Sequence, residues 1–156
     1  MWWKGLELPL GKREIGKEEK GMSAEENKAL VQRSWEIDNP ENLDEVYPPD
    51  VVWHNPDQDL RGIEEAKQFA STYFEAFPDF NINVEDIIAE GDKVVSRVRG
   101  RGTHQGETEL FGPPTGRQFE QEGITIHRIE DGKIVEEWNQ WDNLSVLQQL
   151  GLAPER

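Results

Sequence analysis

The spacing of apolar residues changes period along the chain, and each change marks an element. From Ser23 the spacing is helical, with Leu30, Val31, Trp35 and Ile37 roughly on one side. Ser23 stands three residues before Glu26, a capping box that opens this first helix. Asn39-Pro40 ends it and starts a short second helix, with Asn39 as cap and Pro40 at the first helical position. Val51-Val52-Trp53-His54 reads as a short strand stopped by Asn55-Pro56. Ile63, Ala66, Phe69, Ala70, Tyr73, Phe74 and Phe77 then predict a third helix over about Ile63 to Ala76, halted by Pro78.

Beyond Pro78 the period falls to two. Strands are predicted over Phe80 to Ala89 and Lys93 to His104, joined at Glu90-Gly91-Asp92. Gly100 and Gly102 predict a bend or bulge in a strongly curved sheet. After a loop from Gln105 to Gly116, Gly123–Ile129 and Ile134–Asp142 form a hairpin about Asp131-Gly132. A last helix, capped by Asn143 or Ser145, runs through Leu150 and ends at Gly151. Helices segregated against a meander make an α+β domain. The expected form is a cone-shaped, curved antiparallel sheet packed on about three N-terminal helices and enclosing a pocket. Residues 1–21, polar and charge-alternating, read as an N-terminal extension ahead of a domain over 22–156, with Met22 as its possible start.

Composition narrows the chemistry. Among 156 residues there is no cysteine, so disulfides and thiolate chemistry are excluded. The net charge of −15 argues against nucleic acid and anionic membrane as partners. No apolar run is long enough for a membrane helix, and Met1–Glu7 lacks a signal peptide's apolar core, so the expected location is cytoplasmic. His54, His104 and His127 match no metal-binding spacing, and no phosphate- or dinucleotide-binding motif is present; neither a metal nor a cofactor is expected.

Candidate chemistry gathers on the final strand. Glu136, Trp138, Gln140 and Asp142 share one parity, which places two carboxylates, an amide and an indole on one face. A solvated face accounts for the polar three; a cavity face accounts for all four. Asp142 is the first candidate for a general acid or base, since an apolar wall raises a carboxyl pKa into a working range; the alternative is a cap on the last helix. A two-residue turn at Asp131-Gly132 pairs His127 with Glu136 and Gln121 with Asp142. A three-residue loop instead turns Ile124 and Ile126 to that face. His54 and His104 end their strands, where the rim of a pocket forms. Tyr73 and Phe77 belong to the apolar stripe of the third helix, where core is the plainer reading, and with Trp53 are the candidates for an aromatic wall.

Several segments, in order, are similar to the SnoaL-like polyketide cyclases. They are His54-Asn55-Pro56 followed by Gly62-Ile63, Ala76-Phe77-Pro78-Asp79, Ala89-Glu90-Gly91-Asp92, Gly102-Thr103-His104-Gln105-Gly106 and Pro113-Pro114-Thr115-Gly116. The hairpin Arg128–Glu136 and the ending Trp138–Asp142 with Gln148-Gln149-Leu150-Gly151 complete the set, which spans about 23–153. The resemblance implies the cone fold shared with nuclear transport factor 2 and ketosteroid isomerase. It implies an intramolecular aldol closure of an aromatic polyketide ester without metal or imine, with Asp142 as general acid/base and His127 assisting. It also implies apolar and aromatic walls around the enolate.

The functional expectation is therefore cofactor-independent acid/base ring closure or isomerisation of a small hydrophobic carbonyl compound. Catalysis falls to Asp142 and His127; ligand contact falls to His54, His104, Gln140, Trp138, Glu136, Trp53, Tyr73 and Phe77. A hydrolase or dehydratase on the same fold, or a non-catalytic binding or dimerisation module, are the alternatives. A homodimer or tetramer through the outer sheet face is expected, with Trp141 and Val135 as outward apolar groups.

Overall fold

The computed structural model describes residues 21–154; the expected N-terminal extension, including Trp2 and Trp3, lies outside the described residues apart from its last residue. The elements run α1 (Ala24–Trp35), a 3-10 turn (Pro40–Glu45), β1 (Val52–His54), β2 (Asp59–Arg61), α2 (Ile63–Ala76), β3 (Asn81–Glu90), β4 (Lys93–Thr103), β5 (Gln118–Glu130), β6 (Lys133–Trp141) and α3 (Asn143–Gln149). The six strands form one curved, unclosed sheet in the order β2-β1-β6-β5-β4-β3. Every neighbouring pair is antiparallel except β1 and β6, which run parallel with Trp53 beside Glu137.

Local chemistry explains the element ends. Ser23 Oγ accepts from Glu26 N–H at 3.2 Å, while Glu26 accepts from Ser23 N–H at 3.3 Å, closing the expected box at α1. Asn39 caps the 3-10 turn through Glu41 N–H. Asp131 and Gly132 both take positive φ, 50° and 75°, the two-residue turn that suits the twist of a hairpin. No bulge falls at Gly100 or Gly102, through which β4 keeps its register with both neighbours. The two glycines leave room for the rings of Phe80, Phe77 and Phe119, which pack directly over their backbone. The β3–β4 irregularity falls instead between Val84 and Asp86.

The helices cover the concave face. α1 packs on β3, β4 and β6, α2 on the 3-10 turn and β2, and α3 on β5. Two apolar clusters result. One joins Val31, Leu43, Val46, Val51, Ile63 and Val94; the other joins Phe77, Phe111, Phe119, Val146 and Leu150. On the outer face Arg97, Arg99 and Arg101 pair with Glu85, Asp86, Glu120 and Glu122. A row of apolar side chains also crosses that face in register: Ile88, Val95, Ile126 and Trp138. No helix among the described residues is long and apolar enough to cross a membrane.

Candidate functional site

One extra residue in β6 decides which side chains reach the interior. Near the turn the hairpin pairs Ile129 with Ile134; beyond a bulge at Val135 it pairs Arg128 with Glu136 and His127 with Glu137. The inward set therefore passes from Ile134 to Glu137, Asn139 and Trp141. The expected row is displaced to the other face. Gln140 and Trp138 are exposed, and Glu136 is half-buried, linked to Arg128 at 3.9 Å and His54 at 3.8 Å. Trp141, expected outside, lines the interior, and Val135 sits in the bulge. Asp142 is exposed, and its Oδ1 accepts from Ser145 N–H at 3.1 Å; the placement that holds is the helix cap rather than the pocket.

The cavity encloses about 310 Å³ between the two apolar clusters, near the lower end of the range for small-molecule sites. Trp35, Trp53, Tyr73, Phe74, Phe80 and Trp141 supply most of its aromatic wall. A second hollow of about 270 Å³ adjoins it and shares Trp35, Ile37, Phe74, Phe80 and Ile82. Gly123 faces Trp141 across the hairpin, and a side chain there would strike the indole, so the glycine lets the ring lie against β5. Burial, with a smaller contribution from Asp57, pushes the Tyr73 phenol up to about 12.

At the sheet wall stands Glu137, 3% exposed, at the end of a directed hydrogen-bond chain. Trp35 Nε1–H donates to Ser96 Oγ at 3.1 Å, and Ser96 Oγ lies 2.9 Å from His127 Nε2. His127 Nδ1 lies 2.7 Å from Glu137 Oε1, and Tyr47 donates its hydroxyl to the same oxygen at 2.8 Å. An indole N–H can only donate, and the buried Ser96 hydroxyl has no acceptor among the described residues other than His127 Nε2, so the satisfied chain reads in one sense: Trp35 to Ser96, Ser96 to His127, His127 to Glu137. This fixes the imidazole tautomer with hydrogen on Nδ1. The Tyr47 phenol is held well above its usual range, first by burial and then by the neighbouring Glu137 charge, so it stays a donor. Two donors thus hold Oε1, while Oε2 of this cavity-lining carboxylate receives no hydrogen bond from the described residues.

A second chain runs beside the first. Thr125 Oγ1–H donates to Asn139 Oδ1 at 2.7 Å, and Asn139 Nδ2–H donates to Asn55 Oδ1 at 3.0 Å. Gln121, expected opposite Asp142, instead donates to Asn143 Oδ1 at 3.0 Å, and Asn143 reaches Asp57 at 3.3 Å.

Of the expected residues, Trp53 and Tyr73 line the cavity, and fully buried His127 stands behind Glu137. His54 is on the outer face, stacked on Trp138 at 5.5 Å and bonded to Asp59 at 2.9 Å, because it alternates with inward-facing Trp53. His104 is buried but belongs to the Phe77–Phe111 cluster, its Nδ1 accepting from Thr115 N–H at 3.3 Å; Phe77 is core rather than wall. Tyr47, Asn55, Glu137, Asn139 and Trp141 are site residues that sequence reasoning missed. The signal for the last three was Gly123, which needs a large ring opposite it; pairing it with Trp141 sets the register. Tyr47 meets Glu137 across 90 positions, with no local signal. Among the described residues no cluster of His, Asp and Glu could hold a metal ion.

Comparison with known proteins agrees with this architecture. The sequence pattern of SnoaL-like polyketide cyclases matches residues 28–150. Aklanonic acid methyl ester cyclase DauD of Streptomyces sp. (strain C5) is 37% identical over 112 residues, which cover 70% of this chain and 66% of DauD, just under two-thirds of that relative. A SnoaL-like protein from Jannaschia sp. CCS1 superposes with a TM-score of 0.76 at 25% identity, over 88% of this chain and 100% of its own. IdmH from Streptomyces antibioticus superposes with a TM-score of 0.70 at 35% identity, over 80% and 98%. The protein under study belongs to the SnoaL-like polyketide cyclase family.

Proposed function

We propose that the protein closes a ring in a neutral aromatic carbonyl compound by proton transfer, with Glu137 as the general base and acid and His127 and Tyr47 as its positioning residues. The observation that carries this reading is the cavity-lining carboxylate with one oxygen fixed by two donors and the other unbonded. Oε2 takes a proton from a carbon next to a carbonyl; the C–H pair becomes an enolate. The enolate carbon forms a bond to a second carbonyl carbon of the same molecule, whose π pair moves to oxygen. The alkoxide then takes the proton back from Oε2, and the product is an isomer of the substrate. A positioned base within hydrogen-bond reach contributes about 10²–10⁴-fold to such a step. The aromatic wall and the chain's strong negative charge disfavour an anionic ligand.

The test has two readouts. Cyclisation of aklanonic acid methyl ester, the compound in DauD's name, is followed by chromatography. Exchange of the acetyl protons of 2-acetylnaphthalene in D₂O is followed by NMR. Both are expected to fall by 10²–10⁴-fold in Glu137→Gln, while Asp142→Asn keeps them. Unchanged exchange in Glu137→Gln would refute the assignment.

A further inference from the structure

Two buried hydrogen-bond donors, one on β1 and one just past its end, have no acceptor. Trp53 Nε1 and Asn55 Nδ2 are shielded from solvent and find no partner among the described residues, although both side chains belong to the cavity wall. Buried polar groups are rarely left so, because an unmade hydrogen bond is costly. The pair is not scattered. Trp53 and Asn55 alternate along the chain around outward-facing His54, so they share the inner side.

Their surroundings fix them as donors. Asn55 Oδ1 is occupied by Asn139 Nδ2–H, and Asn139 Oδ1 by Thr125 Oγ1–H. That chain leaves the Asn55 amide with its NH₂ at the free end. Tyr47 packs edge-on against the Trp53 indole, with ring centres 5.3 Å apart. The parallel pairing of β1 with β6 puts Trp53 level with Glu137. Two spare N–H groups therefore stand on β1 and at its end, beside the strand that carries the unbonded carboxylate oxygen.

We propose that Trp53 Nε1–H and Asn55 Nδ2–H form a cradle for the carbonyl oxygen of the ligand, an aromatic ketone or ester whose adjacent C–H meets Glu137. The proposal rests on the reading of Glu137 as base and adds the group that receives the oxygen. When the C–H proton passes to Oε2, negative charge gathers on that oxygen as the enolate forms. Fixed N–H donors hold it more strongly than they hold the ground-state carbonyl. The cradle selects ligands by a hydrogen-bond acceptor set beside an acidic carbon; aromatic shape alone does not suffice.

The test uses two probes of one shape, 2-acetylnaphthalene and 2-isopropenylnaphthalene, in which C=CH₂ replaces C=O. Binding is read by titration calorimetry on the full chain. Two hydrogen bonds give the wild type a ketone preference of roughly tenfold or more. Trp53→Phe removes the indole N–H donor together with part of the wall, and Asn55→Asp keeps the oxygen that Asn139 needs while removing the NH₂, so each is read as the ratio of ketone to alkene affinity. Each variant is expected to cut that ratio by about threefold or more. Circular dichroism checks folding, and the Asn55 variant decides the matter if the Trp53 variant fails to fold. Equal affinity of the wild type for the two probes, binding of neither, or an undiminished preference in the folded variants would overturn the cradle. Glu137→Gln separates the two ideas. Loss of proton exchange with the ketone preference retained supports both. Retained exchange with a preference that needs Trp53 and Asn55 defeats the base assignment and leaves the cradle standing.

Discussion

Replacing Glu137 with leucine and with glutamine tests the hydrogen-bond chain separately from the chemistry. Glu137→Leu removes the single oxygen that satisfies both Tyr47 Oη–H and His127 Nδ1–H. His127 is fully buried and Tyr47 nearly so; His127 Nδ1 has no other acceptor among the described residues, and beside the Tyr47 hydroxyl stands only the Ser34 hydroxyl, itself bonded to Val31 O. Each stranded donor costs about 1–3 kcal/mol, so the variant loses roughly 2–6 kcal/mol of a total near 5–15. For a domain of this size that lowers Tm on the order of 10 °C. Glu137→Gln behaves differently. Its amide oxygen still accepts from both donors, and its NH₂ occupies the unbonded position, so stability should stay within about 1 kcal/mol of wild type while proton transfer is lost. The assay is thermal and urea unfolding of the three proteins by circular dichroism. A leucine variant as stable as wild type would mean that Tyr47 and His127 are satisfied by other groups, and the chain as described would be wrong.

Four further outcomes are expected. Asp142→Asn should leave unfolding and turnover nearly unchanged, because Asn caps as well as Asp; a collapse of turnover would return Asp142 to the chemistry. Gly123→Ala should lower both stability and probe affinity, since the new methyl group displaces the Trp141 ring from the cavity wall; unaltered calorimetric binding would contradict that packing. The Asp79 carboxyl lies below its usual range, chiefly through the Thr103 hydroxyl and then the Thr103 N–H, both at 2.7 Å. A depressed folded pKa stabilises above the unfolded value of about 3.9 and is lost as pH falls through the folded one, so Asp79→Asn should destabilise near pH 7 and progressively less in acid, as read by pH-dependent urea unfolding. The outer-face row of Ile88, Ile126 and Trp138, at 66%, 38% and 36% exposure, should pair two copies of the chain. Ile126→Glu should then halve the mass seen by light scattering, and a wild-type monomer at micromolar concentration would defeat the idea.

The fold was largely legible because its signals are local. The Ser23 box, Pro40 at a helix start, the stripe from Ile63 to Phe77 and the turn at Asp131-Gly132 each act within a few residues, and each stands where it was expected. β2 was not legible; three residues, Asp59–Arg61, carry too short a pattern. The site was legible in kind and displaced by one residue in place. The carboxylate, amide and indole of β6 do face the cavity, as Glu137, Asn139 and Trp141 rather than Glu136, Gln140 and Trp138. Of the two turns left open the two-residue one is present, but the bulge at Val135 lies past it, and strict alternation cannot detect an added residue. Asp142, at the strand–helix junction, satisfied both the catalytic and the capping description in sequence; only its bond to Ser145 distinguishes them.

The one-way order of the chain from Trp35 to Glu137 has a consequence for isotopes. On the Oε1 side both hydrogens already point at the carboxylate, from His127 and from Tyr47, so a proton collected on Oε2 finds no vacant acceptor in the wall behind it. It leaves by the mouth it entered, either onto the bound molecule or to water that reaches the cavity. A substrate carrying deuterium at the reacting carbon, turned over in ordinary water, would therefore give up that label through the cavity alone, to solvent directly or by way of its own new hydroxyl, whose hydrogen exchanges once the product is free.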